Sequence, residues 1–95
     1  MAEVVEVSGE ITFSNVGELN RRLNAALTGD TRHLVVDLTE VTFIDSSGLS
    51  ALLTASKRAR ERGGEVALVV TTSEPPAIFR FRGVDRLLAL YPSRE

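Results

Sequence analysis

Two nearly unbroken apolar runs of strand length, His33-Leu34-Val35-Val36-Asp37-Leu38 and Glu65-Val66-Ala67-Leu68-Val69-Val70, constrain this chain more than anything else in it. Runs of this kind suit strands buried on both faces, in a sheet covered by helices. Between them Leu49, Leu52, Leu53, Ser56 and Ala59 recur at helical spacing, so they predict the inward stripe of an amphipathic helix. Strand, helix and strand in that order form a βαβ unit. Residues 33–38 and 66–70 should therefore lie parallel, joined by a right-handed crossover. Gly63-Gly64 ends the helix. Lys57, Arg58, Arg60 and Arg62 near that end complement the helix dipole, and Arg58 to Arg62 read as a solvated helix end.

The flanking segments complete an α/β pattern. Val4 to Val7 and Ile11-Thr12-Phe13 read as two short strands, with Ser8-Gly9-Glu10 turning between them. Asn15 is a good N-cap for a first helix, and Glu18 three residues on fits a capping-box variant. Val16, Leu19, Leu23, Ala26 and Leu27 form its apolar face, and Gly29 suits the left-handed position after its end. Thr39-Glu40 reads as a turn before the apolar Val41 to Ile44. Pro75-Pro76 opens a short helix through Phe81, stopped by Gly83, and Leu87 to Tyr91 reads as a last short strand. With no linker, repeat or low-complexity stretch, residues 1–95 are expected to form a single domain.

Charge and composition narrow the function classes. Eleven Lys and Arg against 13 Asp and Glu give a net charge of −2, which argues against a dedicated nucleic-acid binder. The first half carries the acidic excess and the second half a basic one, a split that follows the basic end of the second helix. The chain has no cysteine, which excludes disulfides, thiol nucleophiles and cysteine-based zinc sites and fits a reducing, cytoplasmic setting. No basic-then-apolar leader is visible, and no apolar run reaches the ~20 residues of a membrane span. No membrane insertion is expected.

The informative element is Asp45-Ser46-Ser47-Gly48, between an apolar run and an amphipathic helix. Its simplest reading is that Ser46 or Ser47 N-caps that helix. A second reading is a covalent switch. A serine at a helix N-terminus can carry a phosphate of charge about −1.5 to −2 beside backbone N–H groups and the positive end of the dipole. The fold would stay while its local surface changed sign, and Asp45 would add to the repulsion of a docking partner.

Gly9-Glu10-Ile11, Leu34 to Leu38, Val41-Thr42-Phe43-Ile44-Asp45-Ser46-Ser47-Gly48-Leu49, Ala51-Leu52-Leu53 and Gly64 to Val69 together resemble a STAS domain, and more narrowly the bacterial anti-sigma factor antagonists. The resemblance covers nearly the whole chain, with residues 34–53 its most specific part. It implies a small mixed β-sheet with α-helices packed on one side. It implies partner switching: an anti-sigma factor that is itself a serine kinase phosphorylates Ser46, the unphosphorylated antagonist binds that factor and frees the sigma factor, and a phosphatase resets the modified form. The docking edge it implies is Asp45, Ser46, Ser47, Gly48, Leu49 and Ser50, with the exposed face of the second helix. Two departures stand out. Many members carry an aspartate where this chain has Thr12, a difference that bears on how efficiently Ser46 is phosphorylated. Members also usually continue into a last helix beyond the position of Tyr91-Pro92-Ser93.

A reading from a different class keeps the STAS fold but makes the chain a non-switching accessory subunit of a transport or stressosome-type signalling assembly, with Ser46 only a cap. An enzyme is not expected. His33 is the only histidine and is read as a structural or surface residue, Asp37 is expected to bond the following loop, and Ser46-Ser47-Gly48 is no Gly-x-Ser-x-Gly nucleophile elbow. No catalytic, metal or cofactor residue is assigned. Phe79 and Phe81, alternating with Arg80 and Arg82, are expected to dock on the sheet.

Overall fold

The structure is a computed structural model that describes residues 2–70 and 89–91. The elements run β1 (Ala2–Ile11), α1 (Val16–Ala26), β2 (His33–Ile44), α2 (Ser46–Glu61), β3 (Glu65–Val69) and β4 (Ala89–Tyr91). The sheet order is β1-β2-β3-β4, and all three pairings are parallel. The expected α/β architecture is present, the parallel pairing predicted for residues 33–38 and 66–70 is found between 33–37 and 65–69, and the sheet is parallel at every ladder among the described residues. Both helices bury their apolar stripes in one core with the inward side chains of the sheet, α1 against β1 and α2 against β2 and β3. The expected helix at residues 75–81 and its stop at Gly83 lie outside the described residues.

The two expected turns, Ser8-Gly9-Glu10 and Thr39-Glu40, are instead irregularities within continuous strands. β1 runs through Ser8-Gly9-Glu10, and β2 runs through Thr39-Glu40. The ladder between them shifts register twice, from Glu6↔Asp37 to Ser8↔Glu40 and from Gly9↔Val41 to Glu10↔Phe43. Each shift gives β2 one residue more than β1, so the 12 residues of β2 lie against the 10 of β1. Burial along β2 records the same fact. Leu34, Val36 and Leu38 face the core at the usual spacing of two, and the next core residues, Val41 and Ile44, each follow at a spacing of three. A bulge at each step returns the side chain to the inner face that an unbroken alternation would have missed.

The chemistry of the first bulge is visible. Asp37 Oδ1 accepts from the Thr39 backbone N at 3.0 Å and from Thr39 Oγ1 at 2.8 Å. This is the local side-chain turn that Asp favours, made inside a strand. Asp37 thus bonds the residues that follow it, as expected, from the middle of β2 rather than its end.

The buried face of α2 is Gly48, Ala51, Leu52, Ala55, Ser56 and Ala59. Leu52, Ser56 and Ala59 of the predicted stripe are buried, Gly48, Ala51 and Ala55 complete the buried face, and Leu49 and Leu53 are half-buried flanks. Small side chains let a helix approach a sheet closely, and larger ones fill the wedge on either side. Leu19, Leu23 and Leu27 of the first helical segment are buried as expected.

The end of α2 closes with two backbone bonds that run back to helix carbonyls. Gly63 N donates to Arg60 O at 3.0 Å and Gly64 N to Ala59 O at 2.8 Å, with Gly63 at φ +80°. This satisfies carbonyls that a helix end otherwise leaves open. A Cβ on Gly64 would stand 1.9 Å from the Arg32 carbonyl oxygen, so only glycine fits where the chain turns back beside β2. The basic end of α2 is solvated as expected at Lys57, Arg58, Arg60 and Glu61, with Arg62 half-buried. Arg62 donates to the carbonyls of Leu27 and Gly29, and Arg58 to Asn24 Oδ1. These guanidinium groups satisfy carbonyls at the end of α1 and tie the two helices together.

Candidate functional site

The site forms where β1 and β2 run out at the same edge of the sheet. In parallel sheets the carboxyl ends of the strands present loops and helix N-termini together. Asp45 N donates to Ile11 O at 3.0 Å, which continues the β1–β2 contact one step past the last ladder pair, Ile11↔Ile44. The chain then enters α2.

Asp45 is the N-cap of α2, and Ser46 is its first helical residue. The expected cap by Ser46 or Ser47 is therefore replaced by the carboxylate one position earlier. The reason lies in geometry: Asp45 has extended backbone angles, φ −96° and ψ −175°, which aim its side chain back over the first turn. Oδ1 accepts from Ser47 N at 2.8 Å and Gly48 N at 3.2 Å. Oδ2 reaches across to Phe13 N at 3.0 Å. Partial desolvation works to raise the pKa of this carboxyl. The backbone N–H groups of Phe13, Gly48 and Ser47 and the Ser47 hydroxyl together outweigh it and hold the group ionised, below its ordinary range.

This arrangement sorts the serines. Ser47 is half-buried, and its backbone N–H is taken by Asp45 Oδ1. Ser46 is exposed, and its hydroxyl makes no hydrogen bond among the described residues. Leu49 is half-buried beside the core, and Ser50 is exposed one turn along the helix. Gly48 is buried, so its contribution to the edge is to seat the helix. A Cβ there would stand 2.5 Å from Ile44 Cγ1 and 2.8 Å from Ile11 Cγ2. The start of α2 can rest directly on the ends of β1 and β2 only because that atom is missing.

The loop from residues 12 to 15 forms the other side of the site. Asn15 occupies the N-cap position of α1, yet its side chain makes no cap bond. Its Oδ1 accepts from Thr12 N at 2.8 Å, and its Nδ2 donates to Glu10 O at 2.8 Å. Glu18, expected to complete a capping box, instead pairs with Arg21 one turn along the helix. Thr12 Oγ1 lies 2.8 Å from Ser14 Oγ. Thr12 O accepts from both Asn15 N at 3.0 Å and Val16 N at 2.8 Å. Asn15 thus braces the loop that carries Phe13 to Asp45.

Phe13 was expected to end a strand, and lies instead in this loop, 82% exposed. The signal that could have found it is the polar company of an isolated aromatic in Thr12-Phe13-Ser14-Asn15. A cleft of about 210 Å³ lies between β1 and α1, lined by Glu6, Glu10, Glu18 and Arg22 among others, and residues 45–50 take no part in it. Among the described residues no three His, Cys, Asp or Glu side chains gather as a metal ion would need, and no helix is long and apolar enough to cross a membrane.

The described residues thus form a small parallel α/β domain with an exposed serine beside a capping aspartate at the strand ends. The match to the STAS domain family extends over residues 2–95, and the chain belongs to that family. It is 25% identical over 89 residues to an anti-sigma F factor antagonist of Paenibacillus polymyxa, covering 93% of this chain and 76% of that one. The crystal structure of an anti-sigma factor antagonist from Mycobacterium paratuberculosis superposes with a TM-score of 0.85 at 28% identity, over 98% of this chain and 79% of that one. The unphosphorylated form of the anti-sigma factor antagonist SpoIIAA shares the fold, with a TM-score of 0.77 at 18% identity, over 97% and 81% of the two chains.

Proposed function

We propose that the chain is an anti-sigma factor antagonist whose binding is switched by phosphorylation of Ser46. In the unphosphorylated state the edge from Asp45 to Ser50 docks on an anti-sigma factor that is also a serine kinase, and the sigma factor is released. The kinase transfers the γ-phosphoryl group of ATP to Ser46 Oγ, the hydroxyl proton leaves, and ADP departs. A phosphatase hydrolyses the phosphoserine and returns the free hydroxyl with inorganic phosphate.

The observation that carries this reading is the division of labour between Asp45 and Ser46. The cap is supplied by Asp45, so the Ser46 hydroxyl is exposed and free of any structural duty at the helix start. Modifying it removes no bond that holds α2. The added dianion meets an ionised Asp45 that already occupies the N–H groups of Ser47 and Gly48. It therefore stays on the surface, where it repels acidic groups of a partner and keeps water at a contact that must dry.

The test is phosphoryl transfer from the anti-sigma serine kinases of the source organism, with the labelled residue located by mass spectrometry. Label on Ser46, absent in Ser46→Ala, is expected, and label on Ser47 would contradict the assignment. Ser46→Asp should weaken binding at least tenfold in calorimetric titration with an unchanged circular dichroism spectrum. Equal affinity would remove the charge mechanism and leave Ser46 a surface residue of an accessory subunit.

A further inference from the structure

Burying a ring in the core is favourable and displaying it to water is not. Isolated exposed apolar side chains are nevertheless common on protein surfaces, so exposure alone decides nothing about Phe13. Its placement does. Three large apolar side chains are exposed among the described residues: Val4 at 46%, Phe13 at 82% and Phe43 at 50%. Val4 lies near the start of β1. The two aromatics both belong to the Asp45 end, Phe43 two residues before Asp45 and Phe13 bonded to its carboxylate through the backbone N–H. Apolar exposure is concentrated where Ser46 is displayed.

The loop that carries Phe13 is also unusually well tied for so exposed a segment. The Asn15 side chain bonds both Thr12 N and Glu10 O, Thr12 O accepts two N–H groups, and the Thr12 and Ser14 hydroxyls pair. None of these bonds uses the ring. They hold its backbone in a fixed relation to the carboxylate that starts the Ser46 helix. A partner that captures the ring has little main-chain ordering left to impose, which removes a principal cost of association.

We propose that Phe13 is the apolar anchor of the Ser46 docking surface, received by an apolar pocket on the anti-sigma factor next to its phosphate-donating site. This rests on the reading of Ser46 given above and assigns that surface its principal binding residue. Interfaces of this kind draw most of their affinity from a few aromatic or arginine side chains seated in dry pockets, surrounded by contacts that chiefly exclude water. The small polar edge of Ser46, Ser47 and Ser50 supplies no such side chain, whereas Phe13 does. The hydroxyl provides the chemistry and the ring provides the grip. A phosphoryl group on Ser46 brings a charge and its hydration shell to the edge that the ring must dry. Release on phosphorylation then needs no movement of the fold.

The test is calorimetric titration of each anti-sigma serine kinase of the source organism with wild type, Phe13→Ala, Phe13→Leu and Ser46→Asp. Phe13→Ala should weaken binding about 30-fold or more, and Phe13→Leu should lose less. Both variants should melt at the wild-type temperature. Ser46 of Phe13→Ala should still be phosphorylated at the wild-type maximal rate, with a raised KM. Equal affinity of Phe13→Ala and wild type, with Ser46→Asp weakened, overturns the anchor and leaves the Ser46 reading standing. A lowered melting temperature in both Phe13 variants assigns the ring to the fold and also overturns it. If no kinase binds wild type, the Ser46 reading fails and the anchor falls with it.

Discussion

The two helices of the described domain begin with related residues put to different uses. Asp45 spends its side chain on its own helix, accepting from Ser47 N and Gly48 N, and adds one bond to the neighbouring loop at Phe13 N. Asn15 spends its side chain wholly on that loop, on Thr12 N and Glu10 O, and leaves the start of α1 without a side-chain cap. One helix start is rigid because it is capped. The other is left plain so that the loop before it can be made rigid. Both sets of bonds converge on residues 10–15 and on the end of β2, where Ser46 stands.

The comparison can be broken most severely at Gly48. Gly48→Ala puts a methyl group within 3 Å of Ile44 and Ile11, an overpacking that should cost about 1–3 kcal/mol in urea unfolding. An unchanged midpoint would mean that the two isoleucines yield and that the close seat of α2 is not needed.

Asp45→Ala should come next, because it removes three backbone hydrogen bonds and the link between the two helix starts. Its loss of stability should exceed that of Asn15→Ala, which gives up two bonds in an exposed loop and should cost about 0.5–1.5 kcal/mol. Equal losses would show that capping and loop bracing matter alike to this fold.

The same pair sharpens in acid. Asp45 has a folded-state pKa depressed by its N–H partners, so its contribution to stability is present above the ordinary carboxylate range and is lost as pH falls toward the depressed value. The stability gap between wild type and Asp45→Asn should therefore narrow as pH drops below about 4. The gap between wild type and Asn15→Ala should stay constant, since an amide does not titrate. A series of denaturation curves across that range checks both. The smallest expected effect on the fold is that of Phe13→Ala, within about 0.5 kcal/mol, because four-fifths of the side chain already faces water.

Much of this architecture is legible in one dimension. The runs at 33–38 and 65–70 announce buried parallel strands, Leu19, Leu23 and Leu27 announce the buried face of α1, and Asp45-Ser46-Ser47-Gly48 marks the turn into α2. Three readings go astray for a shared reason. Thr39-Glu40 carries turn chemistry, yet the turn is absorbed as a bulge because β1 pairs on both sides of it. Leu49 and Leu53 look like the core of α2, but they end as half-buried flanks, and Gly48, Ala51 and Ala55 join Leu52 on the buried face. Asn15 has the credentials of a cap and uses them on a neighbouring loop.

Periodicity and composition, then, determine which segments become strands or helices, because they depend on spacing along the chain alone. Which of several capable side chains takes a given backbone N–H, where a strand absorbs an extra residue, and whether an aromatic ring is buried or displayed are decided only when β1, β2 and α2 meet. Each of those outcomes turns on angstrom-scale competition between groups distant in sequence, such as Phe13 and Asp45, and local pattern carries no measure of that separation.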